Sequence, residues 1–153
     1  MKNIKILVCI LSILLVCGCS SSSKNELVKY LEGEGYDCLK NVCGYESDAT
    51  DNVKVSKVYD IDNKLYKVTT TFTSLQNSYF EYYWDTNKIT FDYTMIDEKF
   101  NTTYDTESKE FKCNSNSKDS AYKKAECENL KDDIERELDN FNTSIKNSGY
   151  KIK

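Results

Sequence analysis

The spacing of apolar residues changes once along this chain, and this change restricts the fold more than any other feature of the sequence. Between residues 53 and 113, apolar side chains occupy every second position of short runs, as in Phe80, Tyr82 and Trp84. Such alternation is typical of β-strands with one buried face. From Ser120 onward, apolar residues recur three or four positions apart, which is the period of an α-helix. The sequence therefore predicts a β-rich part followed by one long helix.

About six runs in the middle of the chain have strand composition, since they are dense in Val, Ile, Thr, Tyr and Phe. They are KVSKVYDI, KLYKVTTTFTS, SYFEYYWD, KITFDYTMI, FNTTYD and KEFKC. Three connections, YDIDNKL, WDTNKI and YDTESKEF, place an aromatic residue and Asp before a polar tip and a lysine. Asp and Asn suit such tips because their side chains bond the turning backbone and tolerate left-handed geometry. We expect an up-and-down antiparallel meander of about six strands.

Helical patterns lie on both sides of this β-rich part. Near the start, SKNELVKYLEG has the capping-box spacing of Ser23 and Glu26 and a stop at Gly33. The long helix should end at Gly149. Its apolar stripe comprises Cys127, Leu130, Ile134, Leu138, Phe141 and Ile145. The simplest arrangement is an α+β domain whose long helix covers the apolar face of the sheet. The alternative is a helix that leaves its stripe exposed for a partner.

The N-terminal residues have the features of an export signal. MKNIK carries two lysines, and the 11 residues from Ile6 to Val16 are apolar except for Ser12. That length fits the roughly 7–15 residues of a signal-peptide core and is well below the ~20 needed to span a bilayer. Cys19 follows the small Gly18, whereas Cys17 follows a branched residue.

The stretch VCGC at residues 16–19 resembles the lipobox of bacterial lipoproteins. That resemblance implies diacylglyceryl transfer to Cys19 and cleavage between Gly18 and Cys19. The alternatives are an ordinary cleaved signal and an uncleaved membrane anchor. The mature part is similar to many small lipoproteins of Gram-positive bacteria, which implies a place in the cell envelope but no particular activity.

These features divide the chain into three parts. We expect a signal peptide at residues 1–18, a lipidated cysteine with a short serine-rich tether at 19–24, and a single α+β domain at 25–153. Removing the signal peptide takes away two lysines and changes the formal net charge from −4 to −6. So acidic a domain lacks the basic surface that nucleic-acid binding requires. Anionic headgroups would also repel it, so the N-terminal lipid must provide the membrane attachment.

Four cysteines remain in the mature domain, and an even number in an exported chain favours disulfides. Three connectivities are possible, and we favour the two pairs that are close in sequence, Cys38–Cys43 and Cys113–Cys127. Cys113 ends the last strand, and Cys127 lies on the stripe of the helix that should cover that strand. A Cys₄ zinc site is the alternative, although the spacing lacks the usual tight knuckles.

The composition excludes several kinds of catalytic site. The chain has no histidine, which removes Ser-His-Asp and Cys-His nucleophile systems and every histidine-containing metal site. CLKNVC is not the Cys-x-x-Cys of a thiol oxidoreductase, and no glycine-rich phosphate loop is present. DIDN at Asp60 partly resembles a calcium loop, but Leu65 and Thr71 stand where that loop has Gly and Glu, so a hairpin tip is favoured.

We therefore predict no catalytic residues, no metal ligands and no cofactor. The expected function is non-catalytic, either as a binding protein or as a structural component of the envelope. The alternative is a carboxylate-based hydrolase acting on an envelope or carbohydrate substrate, because paired acids can cleave glycosidic bonds. A deep cleft with two carboxylates would favour the hydrolase, and a flat exposed aromatic face would favour binding.

Aromatic residues are abundant, with 12 Tyr, 6 Phe and 1 Trp, and several are concentrated in SYFEYYWD. Alternation places Phe80, Tyr82 and Trp84 on one face of that strand and Tyr79 and Tyr83 on the other. The Phe80 face should be buried because phenylalanine has no polar atom to hydrate. Tyr79 and Tyr83 are then the candidate residues for a carbohydrate or protein partner in the envelope. Alternatively, they only suit the pleated surface, with hydrated hydroxyl groups.

Overall fold

The computed structural model describes residues 25–72 and 76–152, which form one antiparallel sheet and two helices. Along the chain, helix α1 precedes the eight strands of the sheet, and helix α2 follows them. The elements are α1 (Glu26–Gly33), β1 (Asp37–Leu39), β2 (Val42–Thr50), β3 (Val53–Asp60), β4 (Leu65–Phe72), β5 (Gln76–Tyr83), β6 (Lys88–Met95), β7 (Glu98–Asp105), β8 (Phe111–Ser115) and α2 (Ser120–Ser148).

The sheet is an up-and-down meander in which each strand pairs with the next one along the chain, from β1 to β8. The predicted α+β class and antiparallel meander are confirmed, but the predicted count of about six strands is wrong. The two additional strands, β1 and β2, form a hairpin at one edge of the sheet. Of the nine residues of β2, Cys43 alone is buried. A strand that buries only one side chain has no alternating apolar pattern, so its sequence gives no strand signal.

Helix α2 covers one face of the sheet, as its apolar stripe predicts. Asp119 begins the helix by accepting hydrogen bonds from the backbone N–H groups of Ala121 and Tyr122. Gly149 ends it with a φ of 71°, a left-handed conformation that glycine adopts without strain. Three stripe residues, Leu130, Ile134 and Phe141, are buried, and the other three are half-buried against the same core.

Phe141 connects α2 to the aromatic residues of the sheet. Its ring centroid lies 5.1 Å from that of Tyr82, 5.2 Å from Trp84 and 5.5 Å from Tyr66. Aromatic pairs at such distances add about 0.5–1.5 kcal/mol to the effect of area burial. Packing around this phenylalanine therefore helps to hold the long helix on the sheet, together with the buried side chains of Leu130 and Ile134.

Helix α1 packs on the same face of the sheet as α2. Its apolar residues Leu27, Val28 and Leu31 are buried in the common core, and the helix contacts α2, β1 and β2. The side chain of Asn25 caps it by accepting a hydrogen bond from the N–H group of Leu27 at 2.9 Å. The predicted capping residue, Ser23, lies outside the described residues.

Two disulfides join the four cysteines in the pairing favoured from the sequence. Cys38 and Cys43 are direct partners across the β1–β2 hairpin, with 4.1 Å between their Cα atoms. Cys113 of β8 is joined to Cys127 of α2, with 6.0 Å between Cα atoms. The second bond fixes the start of the long helix to the opposite edge of the sheet.

Within the described ranges, neither helix combines the length and the apolar character needed to cross a membrane. The predicted signal peptide, the lipobox and Cys19 lie outside these ranges.

Candidate binding surface

Both helices pack on one face of the sheet, and the described residues include no helix on the other face, which we call the open face. Strand alternation assigns residues to the two faces, because successive side chains point to opposite sides. Phe80 and Tyr82 of β5, and Trp84 directly after it, are buried on the helix side. Tyr79 and Tyr83 lie on the open face, with 44% and 38% of their surfaces exposed. The predicted orientation of this strand is confirmed.

Tyr79 lies within a row of polar side chains that runs across the strands. The register pairs it with Thr69 of β4 on one side and with Asp92 of β6 on the other. Asp92 is followed in the same row by Asn101, whose Nδ2 donates a hydrogen bond of 2.8 Å to Asp92 Oδ1. The Tyr79 ring is thus flanked by hydroxyl, carboxylate and amide groups, all on one flat surface.

Tyr83 is held beside a charged pair one row away. Lys67 Nζ and Glu81 Oε1 form an ion pair of 2.9 Å across β4 and β5. The Tyr83 hydroxyl donates a hydrogen bond of 3.4 Å to the other oxygen of the Glu81 carboxylate. The negative charge of Glu81 is the main cause of a raised pKa of Tyr83. The phenol therefore stays protonated and remains a hydrogen-bond donor at neutral pH.

The two exposed tyrosines are too far apart to contact one small molecule together. They are four residues apart on one strand, which corresponds to about 13 Å at a rise of about 3.3 Å per residue. Glu81 lies between them on the same face. Any ligand that uses both rings must therefore be extended along β5.

Most of the remaining side chains of the open face are polar, although Leu39, Val42, Val58 and Leu65 are apolar, and acids slightly outnumber lysines. Five are lysines and seven are acids: Lys54, Lys67, Lys88, Lys99, Lys112, Asp37, Glu46, Asp48, Asp60, Glu81, Asp92 and Asp105. Uncharged hydroxyl and amide groups fill most of the other positions, including Ser56, Thr69, Thr71, Asn77, Thr90, Thr94, Asn101, Thr103 and Asn114. The face presents hydrogen-bonding groups to a ligand without a strong field of either sign.

The sequence identified Tyr79 and Tyr83 but not the polar rows around them. Thr69, Asp92 and Asn101 alternate with the helix-side residues of β4, β6 and β7. The alternation within each strand therefore predicts that these residues are on the open face. It does not predict that they lie beside Tyr79, because that depends on the register of each hairpin. Among the described residues, no group of three or more Cys, Asp and Glu side chains is arranged to hold a metal ion.

Comparison with known proteins gives no family for this chain: no protein-family model matches it, and neither does any curated protein or solved structure.

Proposed function

We propose that this protein is a lipid-anchored, extracytoplasmic binding protein whose open face holds a linear polysaccharide of the cell envelope. The observation that carries the proposal is the exposure of Tyr79 and Tyr83 on a largely polar face that no described helix covers. The lipid anchor rests on the lipobox-like residues that end at Cys19.

A polysaccharide fits the chemistry of this face better than other polymers. Each sugar ring has C–H groups on its faces, which pack on aromatic rings, and hydroxyl groups around its edge. Thr69, Asp92 and Asn101 offer donors and acceptors to those hydroxyl groups beside the Tyr79 ring. A nucleic acid would instead require a basic surface, which a face with seven acids and five lysines lacks.

The spacing of the two tyrosines favours a polymer over a single sugar. Rings about 13 Å apart would stack on separate sugar units of one chain lying along β5. Each stacking contact is weak, on the order of 0.5–1.5 kcal/mol by analogy with aromatic pairs. A repeating polymer adds such contacts together because one chain occupies both sites.

The carboxylates of the open face are engaged in ways that suit binding more than hydrolysis. Glu81 is bonded through both oxygens, to Lys67 and to Tyr83. Asp92 accepts a hydrogen bond from Asn101. A glycosidase of the usual kind needs a protonated acid and a second carboxylate about 5–10 Å apart on either side of the scissile bond. We therefore propose a non-catalytic role.

The test measures binding of the mature, detergent-solubilised protein to insoluble cell-wall polysaccharide stripped of protein. The double variant Tyr79→Thr with Tyr83→Thr removes both rings but keeps residues that suit a strand. We expect its affinity to fall about tenfold or more, since about 1.4 kcal/mol corresponds to tenfold. Its melting temperature should barely move, because both side chains are exposed.

The matched control is Tyr45→Thr, which removes a tyrosine of similar exposure, 36%, from the helix side of β2. This control should bind polysaccharide normally, and Tyr79→Phe with Tyr83→Phe should bind nearly normally because the rings remain. Loss of binding in the Tyr45 variant, or full binding without the two rings, would refute the proposal. Binding only to extracts that contain envelope proteins would replace the polysaccharide by a protein partner.

A further inference from the structure

A concave site lies on the helix side of the sheet, separate from the open face. It is a groove of about 210 Å³ between one side of α2 and the strand ends near Phe72, Gln76 and Tyr93. Thr70, Ser78 and Tyr93 are neighbours across β4, β5 and β6. The small side chains of Thr70 and Ser78 leave space between larger residues, which opens the groove.

Aromatic rings form much of the groove surface. Phe80 and Phe91 are buried at its base, with ring centroids 6.2 Å apart in an edge-to-face arrangement. Phe72 and Tyr93 are half-buried and stand beside them. The Tyr93 hydroxyl accepts a hydrogen bond of 2.7 Å from Gln76 Nε2, which fixes the orientation of the Tyr93 ring.

Acidic side chains of α2 form the opposite wall, and one of them differs from the others. Asp133 is paired with the Arg136 guanidinium. Glu137 lies 3.9 Å from Lys57 Nζ and also accepts a hydrogen bond from the Tyr66 hydroxyl. Glu126, by contrast, has no cation within ion-pair distance among the residues that the structure describes, and it accepts a hydrogen bond from the neutral amide of Asn129.

The Glu126 charge acts on the aromatic side of the groove. Burial raises the pKa of Tyr93, and the carboxylate of Glu126 raises it further. An uncompensated negative charge thus faces a tyrosine ring across a small cavity with an apolar base.

We infer that this groove binds a compact organic cation, an alkylammonium group held between the Glu126 carboxylate and the Tyr93 ring. Aromatic faces attract ammonium groups, most strongly where water is excluded, and a carboxylate at the rim adds Coulombic attraction. The volume is below the roughly 300–1,000 Å³ of typical drug-sized sites, so the ligand must be a small group. This site is independent of polysaccharide binding on the open face.

The test titrates ¹⁵N-labelled mature protein, in a detergent without a quaternary ammonium headgroup, with choline and with 3,3-dimethylbutan-1-ol. The two probes have the same shape, but the alcohol carries no charge. We expect choline to bind about tenfold more tightly than the alcohol. Amide shifts should centre on Ser78, Tyr93 and Glu126.

Two variants locate the binding site. Glu126→Gln should weaken choline binding roughly threefold or more while leaving the alcohol unaffected, because it removes charge and little shape. Glu128→Gln makes the same charge change at an exposed position on the same helix, outside the groove, and should have no effect. Tyr93→Leu, in a variant whose NMR spectrum shows a folded protein, should weaken choline binding more than Glu126→Gln does. Equal binding of the two probes, equal effects of the two glutamate variants, or shifts centred elsewhere would overturn the inference.

Discussion

Several tight turns of this protein place residues other than glycine in the left-handed backbone conformation. Among the described residues these are Lys40, Lys64, Asn87, Ile96 and Lys109, with φ between 55° and 61°. For most residues this conformation costs roughly 1–2 kcal/mol because Cβ approaches the carbonyl oxygen. Asparagine tolerates it, whereas a β-branched residue is the least suited. Ile96 is therefore the most strained of the five positions.

Ile96→Gly should stabilise the protein. Ile96 is the first of two residues that connect β6 to β7, its φ is 55°, and its side chain is 65% exposed, so little packing would be lost. The strain energy relieved in the folded state should exceed the entropic cost of the greater freedom of glycine in the unfolded chain. The free energy of unfolding should therefore rise by about 0.5–1 kcal/mol. Urea unfolding measures the change.

The neighbouring variant Asp97→Gly is the control, because Asp97 does not have a positive φ. It should gain nothing and lose some stability through unfolded-state entropy. An equal gain from both variants would show that turn flexibility, and not strain at Ile96, limits stability.

The same turns show what residue patterns can and cannot predict. The aromatic–Asp signals correctly located the loops after β3, β5 and β7. Asn87 is the left-handed residue of the loop after β5, as expected, whereas lysines, Lys64 and Lys109, have that conformation in the other two. In those two loops the aspartates act instead as acceptors at the start of the loop. Asp60 accepts from the N–H of Asn63, and Asp105 accepts from the N–H of Ser108, which lowers the pKa of Asp105. Composition locates a turn, whereas the conformation of each residue in it depends on the register in which the two flanking strands pair.

At the scale of elements, the six strands with several β-branched or aromatic residues could be predicted, whereas the hairpin of β1 and β2 could not. The runs corresponding to β3 through β8 were found from their β-branched and aromatic residues. The hairpin of β1 and β2 was missed because Cys43 is the one buried residue of β2, whereas a central strand has a series of buried apolar residues. Its position is fixed by the pairing of β2 with β3 and by contacts with α1, such as the approach of Cys38 Sγ to the carbonyl of Val28, while the Cys38–Cys43 bond joins its two strands.

The second disulfide should contribute more to stability than the first. It joins residues 14 apart in sequence, whereas Cys38 and Cys43 are 5 apart. Loop-closure entropy gives about 3 kcal/mol for the longer loop and about 2 kcal/mol for the shorter. Cys113→Ala with Cys127→Ala should therefore lower the free energy of unfolding more than Cys38→Ala with Cys43→Ala, as measured by urea unfolding of the oxidised proteins.

The location of the effect provides the check. Hydrogen exchange in the Cys113–Cys127 variant should quicken at the start of α2, while the Phe141 end of the helix stays protected by its ring contacts. Peptide mapping without reductant should find Cys113 linked to Cys127 in the parent protein. Free thiols at these positions, or equal losses in the two variants, would contradict the prediction.

At the scale of the whole molecule, the two faces of the sheet differ in how far the sequence predicts them. The direction of Tyr79 and Tyr83 follows from alternation within one strand, so it could be predicted. The groove could not, because Glu126 and Tyr93 belong to elements far apart in sequence that meet only when α2 lies across the sheet. A site made by one strand is visible in its pattern, whereas a site made by a helix and a sheet requires their relative position.

The last prediction concerns where the whole molecule is held. If Cys19 carries the lipid, Cys19→Ser should leave an uncleaved precursor or release the protein from the membrane fraction. Cys17→Ser is the control and should change little, because Val16 before it is too large for the cleavage pocket. Fractionation followed by mass measurement of the N-terminal peptide distinguishes these results. Retention and normal cleavage of the Cys19→Ser protein would rule out lipidation at Cys19.

The length of the tether makes this anchor relevant to the proposed binding. From Cys19 to Lys24 the chain reaches at most roughly 17–18 Å at about 3.3–3.6 Å per residue. The domain would therefore stay within a short distance of the bilayer, where it meets polymers at the membrane side of the wall. Inserting a long Gly/Ser segment after Ser22 should leave binding to isolated polysaccharide unchanged, because the open face is not altered. In cells, the same insertion should change which polysaccharide layer crosslinks to the protein. An unchanged crosslinking pattern would show that the tether does not set the position of the domain.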